Sequence, residues 1–316
     1  MSTPADSAGL MAPPQGMGVL VAVSALLVLG GVWGLSMPLT KIATSTGHGV
    51  FGLIFWQLIF VALALSLVQL VRWRRPMVRP RHLFLLLVIA YVGTLIPNSI
   101  TYISIRNLPA GVYSIVLSLV PMSAFAIAAL MGNEPFASRR LWGLLLGLTA
   151  VLLIIGPEAS LPAPGLWVFV LLGAGATVCY GFEGNFIARF GLGGLGPVEV
   201  LLFSSVVGAV FAMPLAVATG QFIDLTAPWK SAEWALLGLS VMHAMAYVGY
   251  IWLVGRAGAV FAAQISYPVT LFGVLGSMLV LGETYSGWIW LALVIMLAGL
   301  FLVQPRQKSE SGTDAG

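Results

Sequence analysis

Ten apolar stretches, each long enough or nearly so to cross a lipid bilayer, divide this chain of 316 residues and exclude almost all of its charge. They run Val19–Leu39, Phe51–Val71, Leu83–Ser104, Ala110–Met131, Leu141–Gly156, Leu166–Ala188, Val198–Val217, Trp234–Val254, Ala259–Leu281 and Ser286–Val303. A crossing helix needs about 20 apolar residues, because each adds ~1.5 Å across a hydrocarbon core of ~30 Å. The fifth stretch is short by that measure. Of 14 basic and 10 acidic side chains, only Glu183 and Glu199 fall inside the stretches. A bilayer admits only backbones whose polar groups are satisfied internally. The expected fold is therefore an all-α membrane protein with ten transmembrane helices.

Charged residues make up 8% of the chain, against roughly 25% in an average soluble domain. That excludes a single soluble domain, and the 59% hydrophobic content excludes intrinsic disorder. A net charge of +4 spread thinly is not a nucleic-acid stripe. The lone Cys179 excludes a disulfide framework and any cysteine-based metal site, and no cofactor or metal is expected. Residues 1–18 contain no Lys or Arg, so they read as a polar tail rather than a signal peptide; 305–316 read as a second tail.

Basic residues orient the spans. With a cytoplasmic N-terminus, Arg72, Arg74, Arg75, Arg79, Arg81, Arg139, Arg140, Arg189, Arg256, Arg306 and Lys308 lie inside, and only Lys41, Arg106 and Lys230 outside. Both termini are expected in the cytoplasm.

The two halves of the chain resemble each other at an offset of 147 residues. Trp33-Gly34 matches Tyr180-Gly181, Ala110-Gly111 matches Ala257-Gly258, and Pro121 matches Pro268. Gly132-Asn133-Glu134 then corresponds to Gly282-Glu283 with a short gap. Each unit holds five spans. Five is odd, so the second unit enters the membrane from the opposite side, the inverted-repeat plan of many secondary transporters.

The run from Ala110-Gly111 through Pro121, Gly132-Asn133-Glu134, Arg139-Arg140-Leu141 and Gly143 to Gly156-Pro157 resembles the EamA repeat. Ala257-Gly258 through Pro268, Gly282-Glu283 and Gly287 to Pro305 resembles a second copy. Two copies, over 19–157 and 165–304, resemble the drug/metabolite transporter superfamily. The resemblance implies a multi-pass carrier of the cell (inner) membrane, often an exporter of amino acids or other small metabolites in bacteria. It also implies a central cavity between the repeats, with the fifth and tenth helices peripheral. Asn133 departs from the pattern by interrupting the Gly-Glu pair. Pro268 lies 15 residues before Glu283, whereas Pro121 lies 13 before Glu134.

Polar side chains in a bilayer are costly and face a cavity or a partner. At helical spacing, Tyr91, Thr94, Asn98 and Tyr102 share one side of the third span, and His243, Tyr247 and Tyr250 one side of the eighth. The first contributes Trp33, Ser36 and Thr40, the fourth Ser114 and Ser118, the sixth Tyr180 and Glu183, the ninth Gln264 and Tyr267. Trp33, Asn98, Tyr102, Tyr180, Glu183, His243, Tyr247, Tyr250, Gln264 and Tyr267 are the expected substrate-binding residues. The plainer reading is interhelical hydrogen bonding, worth on average ~0.6 kcal/mol per contact.

Glu183 is the sharpest of these. It binds an amine or carries a coupling proton, or else it is a glutamate solvated near the cytoplasmic edge or paired with Arg189. His48 and His82 read as loop residues without a role. Pro38, Pro97, Pro121 and Pro268 are expected to kink helices and permit gating.

No constellation for an enzyme is present, and neither a charged ring nor a filter loop for a channel. With no Lys or Arg inside the spans, a phosphorylated substrate lacks a cation to bind it. The expected partners are a small organic solute, an amino acid or amine, and the lipid bilayer, but not nucleic acid. The protein is expected to act as a monomer or homodimer. The alternative is a lipid-translocating or non-transporting scaffold protein.

Overall fold

A computed structural model describes residues 19–71, 78–132, 137–157 and 160–303, without the side chains of 19, 254–261 and 263. Both tails, Glu134 and the side chains of Ala257-Gly258 lie outside this description. Every regular element among the described residues is helical. Helices α1 (Val19–Thr44) and α2 (Val50–Val71) are continuous. The third apolar stretch is composite: a 3₁₀ turn (Pro80–His82), α3 (Leu83–Val88), a π-helical segment (Ile89–Leu95) and α4 (Ile96–Asn107). The fourth is split into α5 (Ala110–Leu117) and α6 (Val120–Leu130). Then follow α7 (Ser138–Ile155), α8 (Trp167–Phe190), α9 (Pro197–Ala218), α10 (Ser231–Ala262), a 3₁₀ segment (Ala263–Ile265), α11 (Ser266–Leu281) and α12 (Gly287–Val303).

Among the described residues eight stretches are long and apolar enough to cross a membrane; Ser266–Leu281 and Gly287–Val303 are shorter apolar helices. The ninth expected span differs because α10 continues to Ala262, taking over the start of the apolar run from Ala259. Three of the expected prolines coincide with interruptions of the helical ladder: Pro97, Pro121 and Pro268 lie in the first turn of α4, α6 and α11, directly after the π segment, the turn at 118–119 and the 3₁₀ segment. Pro38 does lie inside a helix, as does Pro214 in α9.

Glycine decides where helices meet. A Cβ on Gly34 would come within 2.5 Å of the Val269 carbonyl oxygen, and one on Gly143 within 2.6 Å of the Gly299 oxygen. α1 and α11 thus pack backbone to backbone, as do α7 and α12. Gly30 meets Pro268, Gly34 meets Gly273 and Gly276 meets Leu35 and Pro38, so α1 and α11 run parallel. Tyr113 meets Gly173 and Ala124 meets Gly181, so the α5–α6 pair runs parallel to α8. Ser114 against Gly273 and Ser118 against Thr270 make α5 and α11 antiparallel. α8 consequently runs opposite to α1.

The helix pairs keep their pattern when the halves are exchanged. α1 packs on α10 and α11; its counterpart α8 packs on α4 and on α5–α6. α2 packs on α9 and α10, and α9 on α2 and the π segment. α5 with α11 and α7 with α12 are self-matching. Large apolar side chains cover the outside, among them Leu20, Val28, Leu67, Leu130 and Leu279. That surface suits lipid.

Candidate functional site

Four helical segments bring polar side chains together inside the bundle. Asn98 and Tyr102 are one turn apart on α4, both buried. The Asn98 amide donates to Gln57 Oε1 at 3.0 Å, and the Tyr102 hydroxyl donates to the same oxygen at 2.7 Å. The Tyr180 hydroxyl of α8 donates to Asn98 Oδ1 at 3.0 Å. Gln57 of α2, 5% exposed, is the residue that sequence reasoning missed. It stood alone in an apolar span, with no stripe to announce it. This chain, Tyr180–Asn98–Gln57–Tyr102, fixes α2, α4 and α8 against one another. Asn98 and Tyr102 therefore tie α4 to α2 and α8.

Glu183 sits one turn from Tyr180 on α8, with 9% of its surface exposed. That burial removes the reading of a solvated edge residue. Among the described residues its carboxyl accepts no hydrogen bond, while Arg189 donates to the Met131 carbonyl at 3.1 Å. The carboxyl lies against Gly93 of the π segment, so close that a side chain at Gly93 would overlap it. π-helical turns recur at functional sites because they break the regular backbone ladder. Tyr180, Tyr247 and Tyr250 lie within electrostatic reach of the Glu183 charge. The Tyr247 hydroxyl is buried without a hydrogen-bond partner among the described residues.

Aromatic rings complete the arrangement. Trp33 of α1 meets His243 edge-on at 6.4 Å and Tyr250 at 6.3 Å between centroids. His243 lies 6.3 Å from Tyr247. Eight of the expected residues thus gather around α1, α4, α8 and α10: Trp33, Asn98, Tyr102, Tyr180, Glu183, His243, Tyr247 and Tyr250. The chemistry on offer is one buried carboxyl, one unpartnered phenol hydroxyl, and aromatic faces that attract a cation.

Gln264 and Tyr267 are found in a different place. With Val23, Leu26, Leu27 and Phe272 they line an apolar groove of about 400 Å³ between α1 and α11. The 3₁₀ segment at Ala263–Ile265 alters the helical register between them and α10. Tyr91 also leaves the expected stripe and packs on Phe211 of α9 at 5.0 Å. Ser36 and Thr40 bond carbonyls of their own helix, and Ser118 meets Thr270 across the α5–α11 seam. These are packing contacts. His48 is not idle: it pairs with Glu233 at 2.7 Å. His82 is buried and accepts from the Arg79 backbone at 3.1 Å. No group of three potential metal ligands occurs among the described residues.

A family model described as the EamA-like transporter family matches residues 17–156 and again 167–304. The "Uncharacterized transporter YvbV" of Bacillus subtilis (strain 168) is 23% identical over 297 residues, covering 90% of this chain and 92% of that protein. A solved structure described as "Crystal structure of protein" matches 88% of this chain and 97% of its own, with a TM-score of 0.63 and 15% identity. That last likeness is one of fold alone.

Proposed function

We propose, from the premise that the chain belongs to the EamA-like transporter family, that it carries a small organic amine or amino acid across the cell (inner) membrane by alternating access. Membrane transport is the family's role; the solute, direction and mechanism are our reading. Ten spans in two inverted repeats, 19–157 and 165–304, with both termini cytoplasmic, form the working topology. In this topology the turn between α4 and α5 is at the outer end.

One observation carries the substrate class. Glu183 is buried beside Gly93 with no hydrogen-bond donor among the described residues, within electrostatic reach of Tyr180, Tyr247 and Tyr250, the last of which meets Trp33. A buried carboxyl without a partner is costly, and a bound ammonium group or a proton removes the cost. Aromatic faces favour the same cation. Parallel helices across the repeats, with breaks in the fourth and ninth stretches, support rocking of one repeat against the other. Outward transport is the direction in which many carriers of this kind work.

The test is transport in proteoliposomes against amines, amino acids and nucleobases, with and without a proton gradient. Movement of an amine above protein-free liposomes is the expected result. A panel in which only nucleobases move, or nothing moves, overturns the substrate class. The apolar groove holding Tyr267 favours a second reading, lipid translocation, which a lipid-scrambling assay on the same liposomes separates.

A further inference from the structure

At the turn between α4 and α5, a carboxylate from one repeat is set into the backbone of the other. Gly282 ends α11 in the left-handed conformation, φ 68°, and delivers Glu283 toward α5. Glu283 Oε1 accepts the Ala110 N–H at 2.7 Å, and Oε2 accepts the Gly111 N–H at 3.1 Å. These are the first two amides of α5, and a helix leaves such groups without internal partners. The Tyr285 hydroxyl donates to Oε2 at 2.7 Å. Burial pushes the Tyr285 phenol up, and the bond to Glu283 adds to it, so the hydroxyl stays a donor. Gly111 has no room for a side chain, because Tyr285 occupies that space.

On the other side of the same turn, Lys41 of α1 donates to the carbonyls of Ile105, Arg106 and Leu108, each at 2.9 Å. Lys41 and Glu283 attract each other. A cation therefore sits at the C-terminus of α4 and an anion at the N-terminus of α5, each matching the local helix dipole.

We propose that the clasp of Glu283 on the Ala110 and Gly111 amides is the catch of the outer gate, which holds α5 to α11 and must let go for the outward-open state. The proposal rests on the alternating-access reading above, not on the identity of the solute. Three features distinguish a catch from a static helix cap. The bond joins residues 173 positions apart in different repeats, so relative motion of the repeats stretches it. Below it the α5–α11 seam includes two small polar contacts, Ser114 on Gly273 and Ser118 with Thr270, beside the apolar contact of α5 with Val274. The clasp itself is at the end of the bundle, where water can take over the released amides and carboxylate.

The experiment uses the full-length protein with Cys179→Ser and a reporter Ser114→Cys, one turn beneath the clasp and fully buried. A membrane-impermeant maleimide is added from outside, and the labelling rate is compared with Glu283 intact, with Glu283→Gln and with Ala110→Pro. Proline suits the first helical position and deletes one amide donor there; Pro109, at ψ 138°, already has the conformation that precedes a proline. A second reporter, Ala150→Cys, buried in α7, reads general loosening. The proposal expects at least a ten-fold rise at position 114 in both variants, with position 150 unchanged. Equal rates at position 114, or equal rises at both positions, overturn it; the second result makes Glu283 a structural cap. No substrate is needed, so failure of the amine assignment would show in transport and not here.

Discussion

Replacing Gly93 with alanine puts a methyl group where the Glu183 carboxyl lies. The ideal Cβ would stand 2.9 Å from Oε2 and still closer to Oε1 and Cδ. An ordinary contact begins at 3.4 Å and the nearest oxygen, Oε1, would stand well inside that, so the carboxyl must move by about an ångström. The obstacle is the far end of a flexible side chain, not backbone: the three nearest atoms all belong to the Glu183 carboxyl. Folding should therefore survive while the site changes. A hydrogen bond to a charged group is worth about 1.5–3 kcal/mol, which is ten-fold or more in affinity. Ligand-induced thermal stabilisation in detergent reads this directly. At 100 times the parent Kd, an amine stabilises the parent by about 2.7 kcal/mol; a site ten-fold weaker keeps about 1.4 kcal/mol at the same concentration. Gly93→Ala should therefore lose about half of the ligand-induced stabilisation, while the ligand-free protein melts near the parent. Full stabilisation in Gly93→Ala would refute the placement of Glu183 at the binding site.

Three further outcomes follow from the packing and the topology. Gly34→Ala drives a methyl into the backbone of Val269 and Gly273, which cannot rotate away, and should cost about 1–3 kcal/mol. Gly31→Ala meets the Phe272 ring at 3.5 Å, an ordinary contact, and should melt at or above the parent; equal melting of the two variants contradicts the α1–α11 seam. Pro121→Ala combined with Pro268→Ala should slow transport while preserving folded yield, since both prolines start half-helices at repeat-matched breaks. Parental turnover in that double variant argues against gating at the breaks. Reporter fusions at Asn107 and Leu192 should report opposite faces of the membrane, and a shared face rejects the topology.

Much of the membrane plan was legible because lipid imposes long apolar runs and pushes charge to the edges. The repeat was legible at Trp33 and Tyr180, Ala110 and Ala257, and Pro121 and Pro268, where identical or similar residues recur at one offset. Glu183 was legible because a carboxyl inside a span stands out. What escaped was anything dependent on a change of helical register. The stripe through Tyr91, Thr94, Asn98 and Tyr102 assumed an unbroken α-helix. The π segment rotates its members, sending Tyr91 to Phe211 while Asn98 faces Gln57 and Tyr180. The 3₁₀ segment before α11 does the same to Gln264 and Tyr267. Gln57 escaped for a different reason. A single amide has no periodicity, and its worth becomes visible only when Asn98 and Tyr102 arrive from another helix.

The repeated Gly-Glu motif gains a physical meaning from the fold. Gly132 and Gly282 both adopt φ 68° at the end of repeat-matched helices, a conformation that other residues enter at a cost. Gly282 presents Glu283 to the opposite repeat. The Glu134 counterpart lies outside the described residues.

The central claim is that Glu183 binds the transported cation, and counterflow tests it most directly. Proteoliposomes preloaded with an unlabelled organic amine are given a trace of the labelled amine outside, for the parent and for Glu183→Gln at equal reconstituted protein. The parent should accumulate label by exchange, and Glu183→Gln should do so at least ten-fold more slowly. Equal accumulation by the two proteins would contradict the account.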